Sequence, residues 1–77
     1  GTYLEFEMQK PGKYSLSILD VNSRVLKIMK GDDPVSPVHT IYWDGKDESG
    51  REVAPGIYFY RLEADGNMEM KRMVKVD

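Results

Sequence analysis

Tyr14-Ser15-Leu16-Ser17-Ile18 is the stretch on which the fold turns. Its apolar residues occupy every second position with serines between them. That is the period of a β-strand buried on one face, not the 3.6-residue period of a helix. Upstream, Leu4, Phe6 and Met8 alternate with Glu5, Glu7 and Gln9 in the same way. Lys10-Pro11-Gly12-Lys13 separates the two runs as a turn, since proline presets φ and glycine permits positive φ. Downstream, Asp20-Val21-Asn22-Ser23 supplies a second turn, with Asn22 the residue best suited to a left-handed conformation.

The run Arg24 to Lys30 has open parity: Leu26 with Ile28 would share one face, Val25 with Met29 the other. A helix competes there, although six or seven residues without a cap make a poor one. Gly31-Asp32-Asp33-Pro34-Val35-Ser36-Pro37 reads as a loop, because its two prolines fix φ and remove donors. His39, Ile41 and Trp43 alternate with Thr40 and Tyr42 as a fourth strand. Tyr58, Tyr60 and Leu62 mark a fifth, opposite Ile57, Phe59 and Arg61. Ala64-Asp65-Gly66-Asn67 is a hairpin turn by its Asp-Gly pair. The last strand, Met68 to Val76, is expected to put Met70, Val74 and Val76 on the buried face with Arg72 among them. Six or seven strands near ten-residue spacing, with no segment patterned as a capped helix, predict an all-β antiparallel sandwich.

Composition bounds the function classes. Seventy-seven residues support one small domain. Zero cysteines exclude disulfides, thiolate metal sites and cysteine nucleophiles. A net charge of −2 gives no general attraction to nucleic acid or an anionic membrane. No apolar run approaches the ~18 residues of a membrane span. The N-terminal residues lack the basic start and apolar core of a signal peptide. Gly1 is not an initiator residue, so the chain reads as one module of something longer, with its address encoded elsewhere in the parent.

Three blocks carry a family likeness. Tyr14 to Leu26 looks like the pattern V-x-L-x-I-Y-D-x-x-G-R-x-V. Ile41-Tyr42-Trp43-Asp44-Gly45-Lys46-Asp47-Glu48-Ser49-Gly50-Arg51-Glu52-Val53 is similar to V-x-W-D-G-x-D-x-x-G-x-x-V, and Pro55 to Leu62 to x-G-V-Y-F-Y-R-L. The chain thus resembles, from Leu4 to Val76, the immunoglobulin-like module of the flagellar hook-capping protein (FlgD-type) and its relatives, the C-terminal sorting domains of the type IX secretion system. The motif residues are Trp43, Asp44, Gly45, Asp47, Gly50, Gly56, Tyr58 and Tyr60. Two departures stand out. Ser23 replaces the usual glycine, placing Asn22 or Ser23 at the strained turn position. Lys75 and Asp77 replace residues of the sorting-domain ending K-M-V-L-L-R.

Each candidate site has a structural alternative. Trp43 is the largest apolar anchor and is expected in the core against Tyr58 and Tyr60; Tyr3, Tyr42 and Phe59, of opposite parity, are the better platform for a glycan. Asp44 to Gly50 is rich in carboxylates, but Lys46 and Ser49 fall where a calcium loop needs an oxygen ligand and a glycine. Asp44 and Asp47 are instead expected to cap turn amides, with Gly45 and Gly50 at positive φ. His39, the only histidine, lacks partners for a metal site or a serine triad. Lys71, Arg72 and Lys75 make the last strand basic, the pattern of an edge strand guarded against aggregation. The five methionines read as gap fillers.

The expected core is Leu4, Phe6, Met8, Tyr14, Leu16, Ile18, Leu26, Ile41, Trp43, Tyr58, Tyr60, Leu62, Met70 and Val74. The resemblance implies a non-catalytic, exported bacterial module without cofactor, extracellular or at the cell surface. Its partner would be a protein, either secretion machinery or the rest of the parent, met through Lys71, Arg72, Met73, Val74, Lys75 and Val76. The alternatives are a structural module as in the hook cap, and an accessory domain of a secreted hydrolase that contacts glycan.

Overall fold

The computed structural model describes residues 1–7, 12–33, 38–64 and 66–76, with backbone alone at Asp33, Val38 and His39. Six strands form: β1 (Thr2–Glu7), β2 (Gly12–Leu19), β3 (Val25–Asp33), β4 (Val38–Trp43), β5 (Gly56–Ala64) and β6 (Asn67–Lys75). They make two antiparallel sheets, one ordered β1-β4 and the other β3-β2-β5-β6. The all-β sandwich expected from the alternation is what folds.

Between the sheets, Leu4, Phe6, Leu16, Ile18, Trp43 and Leu62 form the buried cluster, with Tyr14, Leu26, Ile41 and Tyr60 packed against it. Each large apolar side chain taken from water is worth roughly 1.5–3 kcal/mol. Trp43 is fully buried, meets Tyr58 edge-on at 5.9 Å, and donates from Nε1 to the Lys46 carbonyl at 2.9 Å. Tyr60 joins the layers by donating its hydroxyl to the Glu5 carbonyl at 3.2 Å. Met8 lies outside the described residues.

The structure corrects four expectations. First, β3 has no single parity. Ile18 pairs with Lys27 but Leu19 pairs with Val25, so Leu26 is the extra residue of a β-bulge. The bulge lets Leu26 and Met29 both pack on the core at a spacing of three, while Val25 and Ile28 stay exposed. Second, Gly31, Asp32 and Asp33 belong to β3 and pair with Tyr14, Lys13 and Gly12. Gly31 fits there because the Tyr14 ring fills the space its Cβ would need. Pro34 to Pro37 lie outside the described residues. Third, Asn22 does not take the left-handed position; Ser23 does, at φ 64°.

The fourth correction concerns β6. Met70 and Val74, expected in the core, are 51% and 57% exposed, and Val76 is exposed as well. Cross-strand partners share a face, and Tyr58, which points inward, pairs with Met73. The inward set is therefore Glu69, Lys71, Met73 and Lys75, of which Met73 packs against the core and Lys75 is buried. Met68, Met70, Arg72 and Val74 lie on the outer face, opposite Glu63, Arg61, Phe59 and Ile57.

Candidate functional site

Two turns use the same hydrogen-bond skeleton. In the first, the Asp20 amide donates to the Arg24 carbonyl (3.1 Å) and the Ser23 amide to the Asp20 carbonyl (3.0 Å). Asp20 Oδ1 accepts the Asn22 and Arg24 amides at 2.9 and 3.0 Å. In the second, Asp47 and Arg51 repeat the closing bond at 2.9 Å, and the Gly50 amide donates to the Asp47 carbonyl at 3.0 Å. Asp47 Oδ1 accepts the Ser49 and Arg51 amides at 2.9 and 3.0 Å. Each fourth residue has positive φ, 64° at Ser23 and 81° at Gly50. Sequence reasoning missed this equivalence, although the spacing Asp-x-x-(Ser or Gly)-Arg at 20–24 and 47–51 displays it.

The carboxylates of the Asp44–Glu52 segment bond to the backbone and to neighbouring cations. Asp44 Oδ1 accepts the Lys46 amide at 2.9 Å and faces Lys27 Nζ at 3.4 Å. The amide bond first, and the lysines beside it, hold the Asp44 carboxyl below the ordinary 3.8. Asp20 is lowered likewise, chiefly by the Arg24 amide and then by the Arg24 side chain at 2.8 Å. Among the described residues, no three His, Asp or Glu side chains are grouped to hold a metal ion.

The same segment docks on a sheet edge. The Glu48 amide donates to the Leu26 carbonyl and Glu48 Oε1 accepts the Ile28 amide, both at 2.9 Å. β3 is one margin of the four-stranded sheet, so Glu48 occupies backbone groups that would otherwise be open to strand pairing.

β6 is the opposite margin. Its six candidate recognition residues divide by exposure. Lys71, Arg72, Val74 and Val76 are exposed. Met73 points inward, and Lys75 lays its stem against Gly45 and brings Nζ to 3.7 Å from Glu52 Oε1. Lys75 thus occupies an inward position by burying its methylenes while its ammonium reaches a surface carboxylate. Gly45, at φ 80°, leaves the room for it: a Cβ there would come to 2.8 Å from Lys75 Cε.

The remaining aromatics do not converge. Tyr3 and Tyr42 pair on the outer face of the β1-β4 sheet, with centroids 5.1 Å apart and an interplanar angle of 59°. Phe59 is half-buried on the other sheet, opposite Leu19. His39 aligns with Phe6 along the backbone of β4. A shallow depression lined by Lys13, Tyr14, Glu63, Asn67 and Met68 lies at the end of the larger sheet. Among the described residues, no helix is long and apolar enough to cross a membrane. No protein-family model matches the chain, and no curated protein matches it.

Proposed function

We propose that this chain is a non-catalytic, C-terminal β-sandwich module of a secreted bacterial protein, serving secretion sorting or cell-surface attachment by protein–protein recognition. The observation that supports this reading most is the contrast between the two margins of one sheet. Glu48 covers β3, whereas β6 offers Lys71, Arg72, Val74 and Val76 to solvent. A strand that is basic in a chain of net charge −2 is a localised signal, suited to one partner surface. On this reading the module acts outside the cell or at its surface, needs no cofactor, and leaves catalysis to the parent protein.

Fusing residues 1–77 to a reporter in a type IX-secreting host tests the reading. Export of the reporter is expected, with loss of export on Lys71→Glu/Arg72→Glu; retention of the unmodified fusion would overturn it. The exposed Tyr3–Tyr42 pair favours a second reading, an accessory domain contacting glycan by ring stacking. A polysaccharide titration that shifts tyrosine fluorescence, and fails after Tyr42→Ala, would support that one instead.

A further inference from the structure

We infer that β6 is a docking edge for strand addition, and that its occupant is an extended acidic segment of a partner protein. The inference rests on the recognition role proposed above and names the partner's chemistry.

Backbone direction follows from the register. The Ile28 amide points away from β2, to Glu48, so the Ser17–Ile28 pair is a non-hydrogen-bonded one. Ser17 then turns its amide and carbonyl to its other partner, Arg61. Arg61 faces β2, and its β6 partner Met70 is left facing outward. The two-residue connection between the paired Ala64 and Asn67 gives the same phase. Met68, Met70, Arg72 and Val74 therefore present their N–H and C=O groups to the open edge. Among the described residues, no hydrogen bond reaches that edge between Met68 and Val74. Nine residues is long for a margin strand, and its cations guard it against like-charged edges but not against an acidic one.

Charge selects the occupant. β6 holds three cations against one carboxylate. A second copy pairing β6 with β6 about Lys71 or about Arg72 would set that residue directly against itself, and like charges directly opposed are unfavourable. An acidic strand meets both. On the outer face Arg72 stands between Met70 and Val74, so the complementary antiparallel segment reads apolar, any, acidic, acidic, apolar. Main-chain bonds to Met70, Arg72 and Val74 would supply affinity, and the carboxylates would set register.

The test uses the 77-residue chain with two synthetic peptides, Thr-Val-Thr-Glu-Glu-Val-Thr and its lysine counterpart, followed by calorimetry and by amide hydrogen exchange. The acidic peptide is expected to bind, and to slow exchange at Met70, Arg72 and Val74. Lys71→Glu/Arg72→Glu should weaken it roughly tenfold or more and confer binding of the lysine peptide. Met70→Pro removes one edge donor outside the β5 ladder and should also abolish binding; its circular dichroism and melting curve report whether the fold persists. No binding at millimolar peptide would overturn strand addition. So would binding that leaves edge amides exchanging freely, which means charge attraction alone, or self-association of the chain that slows exchange at those amides without peptide. Reporter export persisting alongside any of these results would remove the docking edge and leave the sorting role standing.

Discussion

Replacing Ser23 by glycine should stabilise the protein, and replacing Gly50 by serine in the equivalent turn should destabilise it. Both positions close a five-residue turn with the same bonds, and differ in holding a side chain at φ 64° or none at φ 81°. A left-handed conformation costs a non-glycine residue about 1–2 kcal/mol. Glycine gives back part of that through its freer unfolded chain, roughly 0.5–1 kcal/mol. The net expectation is about 0.5–1 kcal/mol in favour of Ser23→Gly and about the same against Gly50→Ser. Nothing lies within 4 Å of a Cβ at Gly50, so the loss there would be conformational and not a clash. For a domain of this size, 0.5–1 kcal/mol moves Tm by roughly 2–8 °C. Urea unfolding followed by the fluorescence of buried Trp43 measures both variants, with unchanged m-values confirming a change in stability alone. A Ser23→Gly protein less stable than the parent would refute the strain assigned to Ser23.

Three further outcomes follow from the turns and edges. The lowered carboxyls of Asp20 and Asp44 contribute stability that is complete above the unfolded value near 3.8 and lost as pH falls through their folded values. Acid titration of stability should therefore be flat near neutrality and steepen below about pH 4, less so in Asp20→Asn; the same slope in that variant would contradict the assignment. Gly45→Ala combines a left-handed φ with a contact at 2.8 Å from Lys75 Cε, and should cost about 1–3 kcal/mol in urea unfolding. Adding Lys75→Ala should restore only the steric part, so full rescue would place the whole cost in the clash. Glu48→Ala removes the acceptor for the Ile28 amide; a loss of about 1 kcal/mol is expected, with faster exchange of that amide.

Alternation alone located β1, β2, β4 and β5 and most of the core, because each of these strands hides one face and keeps one parity. β3 resisted because its bulge at Leu26 breaks the period, and two inward residues three apart imitate a helix. β6 misled for a different reason. Met68, Met70 and Val74 form the more apolar set, but pairing with Tyr58 and Leu62 turns Met73 and Lys75 inward. A buried lysine is legible only once Gly45 and Glu52 are known to lie beside it. The open and covered margins were equally hidden, since Glu48 meets Leu26 and Ile28 across 20 residues or more of sequence.

The central claim is that β6 is an open edge with its even-numbered residues facing outward, on a sheet whose other margin is closed by Glu48. Residue-resolved amide hydrogen exchange on the free protein tests this most directly. Lys71 and Met73 should be protected by the β5 ladder and Ile28 by Glu48, while Met70, Arg72 and Val74 exchange near the rate of an unstructured chain. Protection at Met70, Arg72 and Val74 with fast exchange at Lys71 and Met73 would contradict both the register and the docking edge built on it.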